Sequence, residues 1–169
     1  MCSYCGCQSI GPIGRLMAEH VAVINATGDL RRACEAGDPS EVRARAATVA
    51  SLLDPHTAWE EAGLFTVMAE QEEFTDHIHT LCGEHGTLDA LLARVASGDL
   101  AAVGAFEDAL RHHIDKEDNG LFPAAAIALS GPDWERVVAH QVESTPPHDH
   151  DHPHDHDHPH EPAHAHPHA

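Results

Sequence analysis

The chain has 169 residues, of which 42% are hydrophobic and only 4% aromatic, and its formal charge is −19 with histidine neutral. That length allows one domain with a sizeable core and leaves little for a second. The acidity argues against nucleic acid or an anionic membrane surface as partner, and no apolar run approaches the roughly 18 residues that a membrane span needs.

Residues 1–12 form a Cys- and Gly-rich head. Cys2, Cys5 and Cys7 place three thiols within six residues. Such a cluster could hold zinc or iron with a fourth ligand from elsewhere, form a labile disulfide, or pass electrons. A flexible head without function is the plain alternative, and the spacing does not decide between them. No basic stretch followed by an apolar one is visible near the N-terminus, so a cytoplasmic location with reduced thiols is expected. Cys34 and Cys82 read as small packing residues.

Helical periodicity begins near Ile13. Ile13, Leu16, His20, Val23, Thr27, Leu30 and Cys34 recur at spacings of three and four and make one stripe. Gly37-Asp38-Pro39 ends this helix and starts the next, with Asp38 as N-cap and Pro39 in the first turn. The second helix carries Val42, Ala46, Val49, Leu52 and Leu53, then His56, Glu60 and Leu64. Pro55 inside this pattern predicts a kink or restart just before His56.

A third helix is expected from about Gln71 to Ala96, with His85 in its apolar stripe. Ser97-Gly98-Asp99 should close it and cap the fourth, which aligns Val103, Phe106, Leu110, His113, Glu117 and Leu121. The period separates adjacent histidines: His113 joins the apolar stripe, whereas His112 falls on a wetter face. Pro123 predicts a restart. Asp133 to about Gln141 should form a short fifth helix that packs through Trp134, Val137 and Val138.

The fold expected is all-α: an antiparallel four-helix bundle over residues 13–142, including that short C-terminal helix. Residues 143–169 form a His/Asp/Pro-rich tail. From His148 to His168 ten histidines alternate with five acids and several prolines, without apolar periodicity, a composition that predicts disorder. Mobile imidazoles of this density could bind zinc, nickel, cobalt or copper(II) weakly and buffer metal near the core. Protonation below a pH of roughly 6.5 would also invert the tail's charge. A solvated tail without function is the third reading.

Each of the four long stripes contains one histidine: His20, His56, His85 and His113. Two add a carboxylate one turn on, Glu60 and Glu117. On a helix, residues four apart have Cβ atoms roughly 5–6 Å from each other, so each His-x-x-x-Glu can converge on one cation. Four core histidines with two carboxylates are hard to satisfy without one. Imidazole with carboxylate suits iron, manganese or zinc.

The ordered pattern His20, His56-x-x-x-Glu60-Glu61-x-x-Leu64-Phe65, Glu84-His85-x-x-Leu88, His112-His113-x-x-Lys116-Glu117-x-x-x-Leu121-Phe122-Pro123 resembles the hemerythrin-like (HHE cation-binding) family. The resemblance spans roughly Ile10 to Leu129. It implies a bundle holding two iron ions, a non-haem di-iron centre with an oxo or hydroxo bridge. His20 and His56 would hold one iron, His85 and His113 the other, with Glu60 and Glu117 bridging. Hemerythrins that carry oxygen reversibly have a His-x-x-x-His pair on the third helix; here Leu81 and Asp89 flank His85 at that spacing. The missing ligand would leave open positions on both irons. It points to chemistry with oxygen, peroxide, nitric oxide or iron itself, such as catalase-like peroxide removal. A non-catalytic iron or oxygen sensor or carrier is one alternative. A metal buffer or metallochaperone using the tail is another.

Overall fold

The computed structural model describes residues 6–144, and every regular element among them is helical. A short 3₁₀ turn, Cys7–Ser9, leads into α1, Gly11–Ala36. Pro12 sits in the first turn of α1, where its missing N–H costs nothing. The helix ends on Gly37 at φ 74°, whose N–H bonds the carbonyls of Ala33 and Cys34. Asp38 then caps α2, Pro39–Trp59, by accepting from the N–H groups of Ser40 and Glu41.

α2 does not restart at Pro55 as the sequence suggests. Pro55 and Ser51 both lie on the exposed side, where water can satisfy the carbonyl that Pro55 leaves without a donor. The α-geometry changes one turn later, in a π-helical segment, Glu60–Phe65, followed by a last α-turn, Thr66–Met68. α3 is Glu72–Ala96 and α4 is Ala102–Lys116. Asp99 does not cap α4: its carboxylate takes the Arg94 guanidinium, and Ala101 holds the cap position without a side-chain bond. A second π-helical segment, Glu117–Leu121, runs into α5, Phe122–Ala128, so Pro123 sits within a continuing helix. α6 is Gly131–Ser144. Its Val137 is fully buried, but Val138, expected to pack, is 45% exposed.

α1 to α4 pack in ring order, each against the helices on either side. α6 lies across the first π segment, and the Arg136–Glu70 ion pair ties it there. The Cys7–Ser9 turn folds back onto α1. A Cβ at Gly14 would lie 2.5 Å from the Gln8 carbonyl oxygen, so glycine alone permits this approach.

The apolar core is in two parts. One gathers Ile13, Leu16, Leu64, Phe65, Leu81, Leu121 and Phe122; the other gathers Val23, Leu30, Val49, Leu53, Leu88, Phe106 and Leu110. Along each long helix the change from one part to the other falls at a histidine: His20 between Leu16 and Val23, His85 between Leu81 and Leu88, and likewise His56 and His113. A polar layer is therefore sealed above and below by hydrocarbon. No helix among the described residues is long and apolar enough to cross a membrane.

Candidate metal centre

The six residues singled out by spacing all reach that layer. His20, His56, His85 and His113 are 2–4% exposed, and Glu60 and Glu117 are fully buried. Their ligand-type atoms fall into two groups that share the glutamates: His20, His56, Glu60 and Glu117, and Glu60, His85, His113 and Glu117. Within each group the atoms lie within 4.8 Å of one another.

Each glutamate straddles the two histidine pairs. Glu60 Oε1 is 3.3 Å from His56 Nε2, and its Oε2 is 3.4 Å from His85 Nε2. Glu117 Oε2 is 3.1 Å from His20 Nε2, and its Oε1 is 3.3 Å from His113 Nε2. One oxygen thus serves each pair, which is the disposition a bridging carboxylate requires.

Both glutamates open a π-helical segment. In a π-turn residues five apart stack, and single such turns cluster at functional sites. Here the geometry brings Phe65 and Phe122, each five residues past its glutamate, under the imidazoles. Phe65 stacks on His85 at 5.6 Å and 15°, and Phe122 stacks on His20 at 5.7 Å and 10°. The Leu-Phe after each His-x-x-x-Glu therefore forms the apolar floor.

All four Nδ1 atoms face outward onto carboxylates. His20 meets Asp118 at 3.0 Å, His56 meets Glu19 at 3.0 Å, His85 meets Glu61 at 2.7 Å and His113 meets Glu84 at 3.0 Å. An ionised carboxylate only accepts, so each Nδ1 carries a proton, and in the neutral ring each Nε2 then turns a bare lone pair inward. On that assignment the 3.1 Å approach of His85 Nε2 to His113 Nε2 sets two lone pairs face to face. His20 Nε2, His56 Nε2 and all four oxygens of Glu60 and Glu117 are buried without a hydrogen-bond donor. Buried polar atoms are normally satisfied, and stranding six at one point is costly. A shared cation between each pair resolves every one of these contacts.

Electrostatics point the same way. Burial, reinforced by the charges of Glu117, Glu19 and Glu61, pushes Glu60 well above the usual carboxylate range. Burial acts on Glu117 too, but the His20 imidazole 3.1 Å away and the charges of His113 and His56 hold it low. His20 is pulled up to about 9 against burial by its bond to Asp118 and by the Glu117 carboxylate beside it. Burial lowers His56 and His113. Arg15 sits on Glu19 and Lys116 on Glu84. Ligands must shed their protons to bind a metal; with all four imidazoles neutral and all six carboxylates ionised, those two cations leave four negative charges, which two divalent ions would match. The donors are nitrogen and oxygen alone, a set suited to iron, manganese or zinc.

The sequence pattern includes Glu61 and Glu84 without assigning them a role, and omits Glu19 and Asp118. A signal existed: each is the chain neighbour of a core residue (His20, Glu60, His85 and Glu117). What adjacency could not supply is the partner, because each acid serves a histidine on another helix. Of the other residues singled out, His112 is exposed and apart from the cluster, and Cys34 is buried among apolar residues. Cys82 is half-buried against the other part of the core. Cys7 is 2% exposed and packs in the core with Ile13 and Leu16. Cys2, Cys5 and the His-rich tail lie outside the described residues.

Comparison with curated proteins gives no match, and neither does comparison with solved structures. A family model, the hemerythrin HHE cation binding domain, matches residues 11–125. Those residues carry the six-residue cluster and both π segments, and the chain belongs to the hemerythrin HHE cation-binding family.

Proposed function

We propose that the protein is a non-haem di-iron protein that reacts with a small oxidant or ligand: oxygen, peroxide, nitric oxide or iron itself. The observation that carries the reading is the set of buried ligand atoms stranded at one point, with one oxygen of each glutamate aimed at each histidine pair. His20 and His56 would hold one ion, His85 and His113 the other, with Glu60 and Glu117 shared. The helices are read as an antiparallel bundle, with residues 1–12 as head, 13–142 as body and 143–169 as tail.

Bound iron would supply one- and two-electron redox chemistry. The chain's residues do the rest. The imidazoles and carboxylates neutralise and orient the pair. Phe65, Phe122, Leu64 and Leu121 exclude water from below. Neither position that flanks His85 at the His-x-x-x-His spacing of oxygen carriers holds a histidine: Leu81 is fully buried apolar surface and Asp89 is exposed. Fewer protein ligands leave positions for an incoming molecule, which favours turnover over storage.

Metal analysis with an absorption spectrum of aerobically loaded protein tests the centre: two irons per chain with near-ultraviolet absorption are expected, and a spectrally silent zinc protein would refute it. Addition of peroxide tests catalysis. Two peroxides should give one oxygen and two waters many times per site; a single reaction that then stops would instead support the sensor or carrier reading.

A further inference from the structure

We propose that Glu19 and Glu84 are positioning residues, each clamped between a surface cation and one imidazole, that set the grip on the two ions separately; this rests on the two-ion reading above. Glu19 Oε1 accepts from Arg15 Nε at 2.7 Å while its Oε2 accepts from His56 Nδ1 at 3.0 Å. Glu84 repeats the arrangement: Oε1 takes Lys116 Nζ and Oε2 takes His113 Nδ1 at 3.0 Å. Both oxygens of each acid are engaged, so neither carboxylate can rotate off its imidazole without breaking an ion pair. Glu61 and Asp118 differ. Each reaches its histidine through one oxygen, and no lysine or arginine among the described residues pairs with either.

The clamps are built on this chain's two matching halves. Glu19 precedes His20 and grips His56, its partner in one pair; Glu84 precedes His85 and grips His113, its partner in the other. Arg15 is itself held 4.3 Å over the ring of Trp59, the residue before Glu60. A cavity of about 140 Å³ lined by Arg15, Glu19, Leu52, Pro55 and His56 opens beside the first clamp. Water entering it would compete for the Glu19 carboxylate, and the Arg15 bond opposes that competition. A carboxylate fixed on Nδ1–H orients the ring and raises the basicity of Nε2. Outer contacts of this kind typically alter metal affinity about 10–100-fold.

The experiment uses the full chain loaded with ferrous iron and passed over chelating resin, which strips weakly held tail ions. Release to a chromogenic chelator is then followed in time. Wild type should hold two irons and release them slowly. Glu84→Ala should speed the release of one iron about 10–100-fold and leave the other unchanged; Glu19→Ala should do the same for the other iron. The double variant should speed both. Lys116→Met and Arg15→Met keep the carboxylates and should give smaller effects on the same iron as the acid each one backs. In zinc-loaded protein, nitrogen NMR should show the Nδ1–H signal of His113 alone displaced by Glu84→Ala, and that of His56 alone by Glu19→Ala. A purely structural role would not produce that selectivity. Unchanged release in all four variants, or equal acceleration of both irons by a single variant with native helical circular dichroism, overturns the proposal. If an alanine variant fails to fold, the methionine variants decide it by the same criterion. Wild type that keeps no iron after the resin overturns the two-ion reading itself.

Discussion

At the scale of residues, the centre is decided by which side chains have no alternative partner. Glu60 has none: both its oxygens are buried and face imidazole nitrogens without a proton to give. Glu60→Ala should therefore cost the protein one or both irons by metal analysis; two irons per chain in that variant would contradict the bridging role. His112 points away on an exposed face, and His112→Ala should leave iron content and spectrum unchanged. The six core residues were legible because helical spacing alone puts them on apolar stripes, where a histidine is conspicuous. The carboxylates behind them were not. Their role depends on which helices are neighbours, and no local period encodes that. Cys7, which the sequence places in a thiol cluster, also packs on the apolar core, because the 3₁₀ turn folds it back onto α1.

At the scale of elements, termini follow local chemistry closely, whereas changes of helical geometry do not. The Asp38 cap is an example of the first. Hydrogen bonds from the Ser40 hydroxyl, the Ser40 N–H and the Glu41 N–H hold its carboxyl below the usual range. A lowered carboxylate contributes stability above its unfolded pKa and loses it as the pH falls through the folded value. Asp38→Ala should thus lower Tm at neutral pH, and the gap from wild type should close on acidification. A gap independent of pH would remove the cap from the account. The π segments illustrate the second. The sequence predicts breaks at Pro55 and Pro123, because proline lacks a donor. The geometry changes instead at Glu60 and Glu117, where tertiary packing aligns glutamate and phenylalanine with the imidazoles of other helices.

At the scale of the whole molecule, the polar layer divides the core, and bound cations would offset the cost of that division. The helical class and the number of long helices were readable from periodicity, and the crossing of four stripes at one level followed from each containing a histidine. None of the six core residues lies in the tail. Truncation after Ser144 should leave two resin-resistant irons per chain and the same spectrum, while abolishing additional weak binding of zinc or nickel. Loss of core iron on truncation would make the tail part of the centre. The central claim, that six side chains from four helices surround two ions, is tested most directly by anomalous diffraction at the iron edge from crystals of iron-loaded protein. Two peaks are expected, one between His20 and His56 and one between His85 and His113, with Glu60 and Glu117 touching both. A single peak, or iron bound anywhere outside this layer with the layer itself closed on protons, would contradict it.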